Sequence, residues 1–177
     1  MTPFSTGCYA YFVLGEKAEF VDEAEKAVAL NPDHAAVVGP LGSFMAAAGE
    51  WERGHEWVAR AKALNPNYPG WINYSLISYH LRSDDLDTAL DRAQDYVAKM
   101  PEYYWAHIFM AAVLGQMDRI EEAGVALDKA LALEPTVAED IRGKLSAWYY
   151  EPGPVAPLIA GLRKAGLDIP DEPATAD

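Results

Sequence analysis

Four prolines constrain this chain more than any other feature. Pro32, Pro66, Pro101 and Pro135 stand 34, 35 and 34 residues apart, and each closes an alanine-rich stretch: KAVALNP, RAKALNP, DYVAKMP and KALALEP. A fixed period of this length marks a repeat array, in which one supersecondary unit recurs along the chain. Ala, Leu, Lys and Glu favour helix. Proline carries no N–H and disfavours helix in the residue before it, so each helix is predicted to stop there.

Upstream of each proline lies an amphipathic pattern. Trp51, Gly54, Val58 and Ala61 fall three or four apart, as do Ile120, Ala123, Leu127 and Ala130. That spacing puts each set on one helical face. A second apolar stretch precedes each, as in HAAVVGPLGSFMAAAG and YYWAHIFMAAVLG. Short turns, GEW, SDD and QMD, join the two and carry Gly or Asp where a positive φ is tolerated. Each unit therefore reads helix, turn, helix.

Period and residue types together resemble the tetratricopeptide repeat. Small residues fall where paired helices must approach closely: Gly42, Ala61, Ala111, Ala123 and Ala130. The resemblance implies an all-α fold, an α-solenoid wound as a right-handed superhelix with C-terminal capping helices. Residues 1–34 form a degenerate first unit or N-terminal cap, in which Gly7, Cys8, Tyr11, Ala24, Ala27 and Pro32 match and Phe20 replaces an alanine. Three units follow over 35–68, 69–103 and 104–135, capping helices over 136–167 and a loose acidic tail over 168–177. Departures are local. Gly54 replaces an alanine, at about 1 kcal/mol of helix propensity. Tyr96 occupies another alanine position. One extra residue in the third unit is expected near LRSDD, leaving Trp71 off register by one. After Pro135, TVAEDIRGKLSAWYY reads as a helix. EPGPVAPLIAGLRKAGL reads as a turn and a final helix from Val155 to Lys164, stopped by Gly166. Terminal units must hide the last apolar face, and Leu145, Trp148, Leu158 and Leu162 are suited to that. The order of these segments is similar, more narrowly, to the C-terminal repeat region of bacterial TolB-like proteins and class III adenylate cyclases, without any cyclase catalytic segment.

The formal charge of −13 disfavours binding to phosphate backbones or anionic membrane surfaces. Protein partners are expected instead, apolar or basic in character. In the repeat family the first helix of each unit lines a groove. No Lys or Arg lies between 33 and 48, 69 and 81, or 102 and 115, the first helices of the three units. A terminal carboxylate would be desolvated there without a cation, which excludes the tail-gripping role some family members have. The family pattern turns Ser43, Asn73, Ile77, His80, Trp105, Ile108 and Ala112 inward, together with Ala36, Gly39, Ala46, Gly70 and Gly115. An apolar helix or extended segment would dock there, anchored near Trp105 and Ile108, with Asn73 and His80 giving hydrogen bonds. An equal reading is that the aromatics only pack between units; Trp71, Tyr74, Tyr79, Tyr103 and Tyr104 are read as structural.

Catalytic signatures are missing. HEW at 55–57 lacks the second histidine of a zinc-protease helix, GPLGSF lacks the Gly-Lys-Ser/Thr of a phosphate loop, and there is no G-x-S-x-G. His34, His55, His80 and His107 read as ordinary helix residues, paired carboxylates as solvated helix starts, and Cys8 as unactivated. No catalytic residue, metal site or cofactor is expected. No apolar run approaches the ~20 residues that span a bilayer, and the start lacks a basic leader region, so a cytoplasmic protein is expected. The whole reads as a non-catalytic interaction scaffold from a bacterial signalling or regulatory setting. A module for a small apolar ligand, or one that self-associates through its end faces, stays open.

Overall fold

The computed structural model describes residues 13–149 and 153–170. Readings that concern Gly7, Cys8, Tyr11, the leader region up to residue 12 and the tail from residue 171 lie outside these. Among the described residues there are nine α-helices and no strand: α1 (Lys17–Leu30), α2 (Ala35–Ala47), α3 (Trp51–Leu64), α4 (Asn73–Arg82), α5 (Leu86–Lys99), α6 (Tyr104–Gln116), α7 (Ile120–Leu133), α8 (Ile141–Ser146) and α9 (Val155–Lys164). The helices α2 and α3, α4 and α5, and α6 and α7 pack as hairpins. Adjacent first helices, α2 on α4 and α4 on α6, also touch, and α1 stacks on α2. The fold is an α-solenoid.

The repeat's punctuation is visible in the backbone. Residues preceding the four prolines, Asn31, Asn65, Met100 and Glu134, take φ of −139°, −140°, −138° and −146° and end their helices. That is the extended bias a following proline imposes. Each hairpin turn holds one left-handed residue: Gly49 at φ 94°, Asp84 at 56° and Asp118 at 56°. Glycine has no Cβ to clash there, and aspartate tolerates the region better than most residues. Asp85 then caps α5, its carboxylate accepting the Thr88 N–H at 3.3 Å.

These turns also locate the extra residue of the third unit. From helix start to left-handed residue the spacing is constant: Ala35 to Gly49, Gly70 to Asp84, Tyr104 to Asp118. The SDD turn is therefore of ordinary length, and the insertion precedes Gly70. It lies in the linker Asn67-Tyr68-Pro69, after which the first helix begins as a 3-10 turn over Gly70–Ile72. The Tyr68 hydroxyl donates to Asp95, and Lys62 and Lys99 sit 4.6 and 4.4 Å from its ring centre. This pins the longer linker against α3 and α5.

Close packing depends on the small residues. A Cβ on Gly54 would come within 2.5 Å of the Ala46 backbone nitrogen, and one on Gly42 within 2.9 Å of the Gly54 carbonyl oxygen. Helices α2 and α3 thus meet backbone to backbone. Ala61 on the same α3, and Ala24, Ala89, Ala93, Ala123 and Ala130 on the other second helices, are also buried. Tyr96 is buried as well, filling with a ring what an alanine would leave between units.

The C-terminal part departs from the expected single helix. Pro135–Asp140 is a 3-10 stretch, and α8 starts only after it. Asp140 is the cause: its carboxylate accepts the Gly143 N–H at 3.0 Å with φ at −147°, offering the backbone a cap in place of continued helix. The last helix, α9, spans the expected residues. Its Schellman ending pairs Leu167 N–H with the Leu162 carbonyl at 3.0 Å and Gly166 N–H with that of Arg163 at 3.0 Å, with Gly166 at φ 104°.

Candidate functional site

The face built by the first helices holds a continuous row of rings. Phe44 on α2 meets Trp71 at 6.1 Å between centroids, and Trp71 meets Tyr74 at 6.3 Å. Tyr74 takes Trp148 edge-on at 4.9 Å, and Trp148 lies 4.8 Å from Trp105 on α6. Phe44, Trp71 and Trp148 are only half-buried. Offset and edge-to-face pairs such as these stabilise by roughly 0.5–1.5 kcal/mol beyond the area they bury.

Trp148 and Tyr149 reach this row from the other end of the chain. Tyr149 approaches Trp51 at 6.2 Å and Tyr74 at 6.2 Å, and its hydroxyl lies 2.6 Å from Ser78 Oγ. Ser78 donates its single O–H to the Tyr74 carbonyl at 2.9 Å, so Tyr149 is the donor in the hydroxyl pair. Burial raises the phenol pKa of both Tyr74 and Tyr149, so both stay neutral donors. Beside them α9 lies on α6. A Cβ on Gly161 would collide with the Ala112 carbonyl, and one on Gly115 with that of Gly161. Gln116 Nε2 donates to the Pro157 carbonyl at 2.5 Å. The C-terminal segment thus folds back over the very helices that were expected to line an open groove. Leu145, Leu158 and Leu162 are fully buried by it.

The residues expected to face inward separate into two groups. Ser43, Trp105, Ile108 and Ala112 sit in the first-helix layer, all buried. Ser43 bonds Ser75 Oγ at 3.2 Å and its carbonyl accepts from Tyr74 at 3.2 Å. Trp105 meets Trp148 with the rings tilted at 50°, and Ala112 lies under α9. Asn73, Ile77 and His80 do not join them. With the insertion ahead of Gly70, their counterparts are Val38, Gly42 and Met45 on α2, which pack between helices. The true counterparts of Gly39 and Ser43 on α4 are Tyr74 and Ser78. Asn73 instead donates to Asp95 at 3.0 Å and accepts from Lys62 at 3.2 Å, while His80 contacts Asp85 at 3.1 Å. Both lie on the side of α4 turned toward the second helices. Tyr74 and Ser78 were therefore missed by one position. The signal that would have found them is the Asn-Tyr-Pro linker, longer by one than Asp-His or Glu-Tyr after the other prolines. Trp148 was noted only as a capping residue, and Tyr149 was not singled out at all.

No family model matches the chain, and no curated protein matches it. Solved structures of MamA, a helical repeat solenoid, do. One crystal structure of MamA superposes with a TM-score of 0.65 at 18% identity over 93% of this chain and 95% of that one. A second gives 0.65 at 17% identity over 91% and 89%, and the RS-1 ArsTM double mutant of MamA gives 0.65 at 16% over 93% and 96%. Likeness at this identity is likeness of fold, and it extends along almost the whole chain: the structure is an α-solenoid of stacked helix-turn-helix repeats.

Proposed function

We propose that this chain is a non-catalytic protein-interaction scaffold whose first-helix face accepts an apolar peptide or helix bearing aromatic side chains. One observation carries the reading: the face already holds such a segment, Trp148–Tyr149 of the chain itself, seated by ring contacts and one hydroxyl pair. The inserted segment displays the chemistry that the surface recognises. Aromatic anchors in a desolvated seat are the usual carriers of binding energy at protein interfaces. Phe44 and Trp71 extend the row beyond the occupied seat and give a partner its first foothold. A partner would then add to the row or displace the internal segment.

Among the described residues no helix is long and apolar enough to cross a membrane. The bacterial signalling setting of this reading is supported by the sequence resemblance to TolB-like and cyclase-associated repeat regions. The acidic surface favours apolar or basic partners over nucleic acid.

The test uses a synthetic peptide of residues 144–152 added to the full chain carrying W148A and Y149A together. The peptide should bind the double variant saturably and bind the native chain at least tenfold more weakly, because the internal copy competes. Adding W105A should abolish binding while circular dichroism stays helical. Equal binding to all three proteins, or to none, sinks the proposal. Sedimentation of the native chain at varied concentration reports whether a second copy can supply the segment instead.

A further inference from the structure

The helix α4 has two working sides. Tyr74 and Ser78 form one. Leu76 and His80 lie two residues further along, about 200° around the helix axis at ~100° per residue, and so face nearly the opposite way. There they floor an open groove of about 350 Å³ between α3 and α5. The walls are built at helical spacing. His55, Ala59 and Lys62 line up over two turns of α3, and Thr88 and Arg92 stand one turn apart on α5. Alanine in the middle of the α3 wall leaves the space open.

The wall chemistry is unlike the rest of the molecule. A chain of net charge −13 places two cations and two imidazoles around this one groove. Lys62 is held between Asn73 at 3.2 Å and Asp95 at 3.6 Å. Loss of hydration, and next the charge of Arg92, pull its pKa down to about 8, against the pull of Asp95. Arg92 pairs with no carboxylate among the described residues. His80 has its Nδ1 on Asp85 at 3.1 Å, which leaves Nε2 for another partner. His55 stacks on Tyr79 at 4.3 Å and meets His80 edge-on at 5.4 Å, so both rings are fixed. Asp85 and Asp95 are the carboxylates that face this cluster, and each is already engaged.

We propose that this groove is a binding site for a phosphate group, carried by a small phosphomonoester or supplied as the free ion. A guanidinium fork matches two phosphate oxygens. Lys62 and the Thr88 hydroxyl supply donors for the others, and His80 Nε2 adds one when the ring is protonated, since in the neutral ring the hydrogen sits on Nδ1 toward Asp85. A single carboxylate would use Arg92 alone and leave the remaining donors idle. The volume is at the low end of the ~300–1,000 Å³ of small-ligand pockets, enough for a phosphate with a modest organic group.

The site is independent of the aromatic row, and its test reads different residues. Proton–carbon NMR of the four histidine rings at pH 7.5 is followed during titration with sodium phosphate or glycerol 2-phosphate, at constant ionic strength set by sodium chloride. His55 and His80 should shift saturably while His34 and His107 stay in place. Tighter binding of glycerol 2-phosphate assigns the phosphomonoester, and tighter binding of phosphate assigns the free ion. R92Q should weaken either at least tenfold, and T88V about threefold, with the native pattern of ring shifts retained in the absence of ligand. A response that sodium chloride reproduces, that spreads over all four rings, or that survives in R92Q overturns the proposal.

Discussion

The hydroxyl of Tyr149 lies 2.6 Å from Ser78 Oγ, joining residues 71 positions apart. Both atoms are buried, so this pair is the polar lock that holds the C-terminal segment on the first-helix face. The inserted rings supply contact area, and the hydroxyl pair fixes which way Tyr149 points. If the segment is what the face recognises, weakening the lock should loosen the segment without melting the solenoid.

That gives a double-mutant cycle. Ser78→Ala leaves the Tyr149 hydroxyl buried without this partner, and Tyr149→Phe does the same to Ser78, which retains its bond to the Tyr74 carbonyl. Removing one partner of a buried pair costs about 1–3 kcal/mol. Ser78→Ala should therefore cost more than Tyr149→Phe. The two together should cost less than their sum, by about 1 kcal/mol, since neither hydroxyl then remains. Urea unfolding of the four proteins measures this, and strict additivity would show that the hydroxyls do not couple.

Glycines at three helix positions should respond with different signs to the same change. Gly124→Ala meets only the Ala165 carbonyl at 3.8 Å and should stabilise by up to about 1 kcal/mol through helix propensity. Gly54→Ala drives a methyl to 2.5 Å from the Ala46 nitrogen and should destabilise by roughly 1–3 kcal/mol despite the same propensity gain. Gly161→Ala strikes the Ala112 carbonyl and should lift α9 from α6. Thermal unfolding ranks the three, and limited proteolysis after α9 distinguishes detachment from general loss of stability.

How far the sequence carries can be read from these same residues. The four prolines and the turn residues Gly49, Asp84 and Asp118 make the hairpins legible, because each acts through its own backbone. Gly54 was legible as an irregularity but not as a contact: its meaning is the Ala46 backbone on the facing helix. Tyr74 and Ser78 were displaced by one because a single inserted residue has two plausible homes, and only the position of the left-handed turn chooses between them. Seating of Trp148 and Tyr149 on α4 is a long-range packing outcome with no periodic signal. The phosphate-type groove was invisible for the same reason, since His55, Lys62, His80 and Arg92 come from three helices.

Tyr96 offers a prediction about misfit. It stands where the repeat has alanine, and its hydroxyl is buried without a hydrogen-bond partner among the described residues. Burial drives its pKa well up, which marks how poorly the site solvates charge. Tyr96→Phe keeps the ring contacts with Tyr103 and Phe109 and removes the orphan group. Stability should hold or rise by up to about 2 kcal/mol. Tyr96→Ala restores the usual residue but empties the space the ring fills, and should cost about 3–5 kcal/mol. A destabilised phenylalanine variant in urea unfolding would mean that the hydroxyl is satisfied after all.

The groove histidines set a pH window. Loss of hydration lowers the pKa of His55 and of His80 below 6.5; for His80, Asp85 opposes the shift, and for His55 the neighbouring His80 and Arg92 add to it. Imidazoles of the unfolded chain therefore take up protons at a higher pH than the folded ones do. The stability that these rings contribute is complete above about pH 6.5 and is lost as the pH falls from there through the folded values. Asp85 and Asp95, held below 3.8, stay ionised throughout and do not blur the window. The urea midpoint should fall between pH 7.5 and 5.5, and the variant H55Q/H80Q should flatten that slope. Because a bound phosphate favours the imidazolium forms, saturating phosphate should flatten it too in the native chain and have no such effect in R92Q. An unchanged slope in H55Q/H80Q would place the acid sensitivity elsewhere in the molecule.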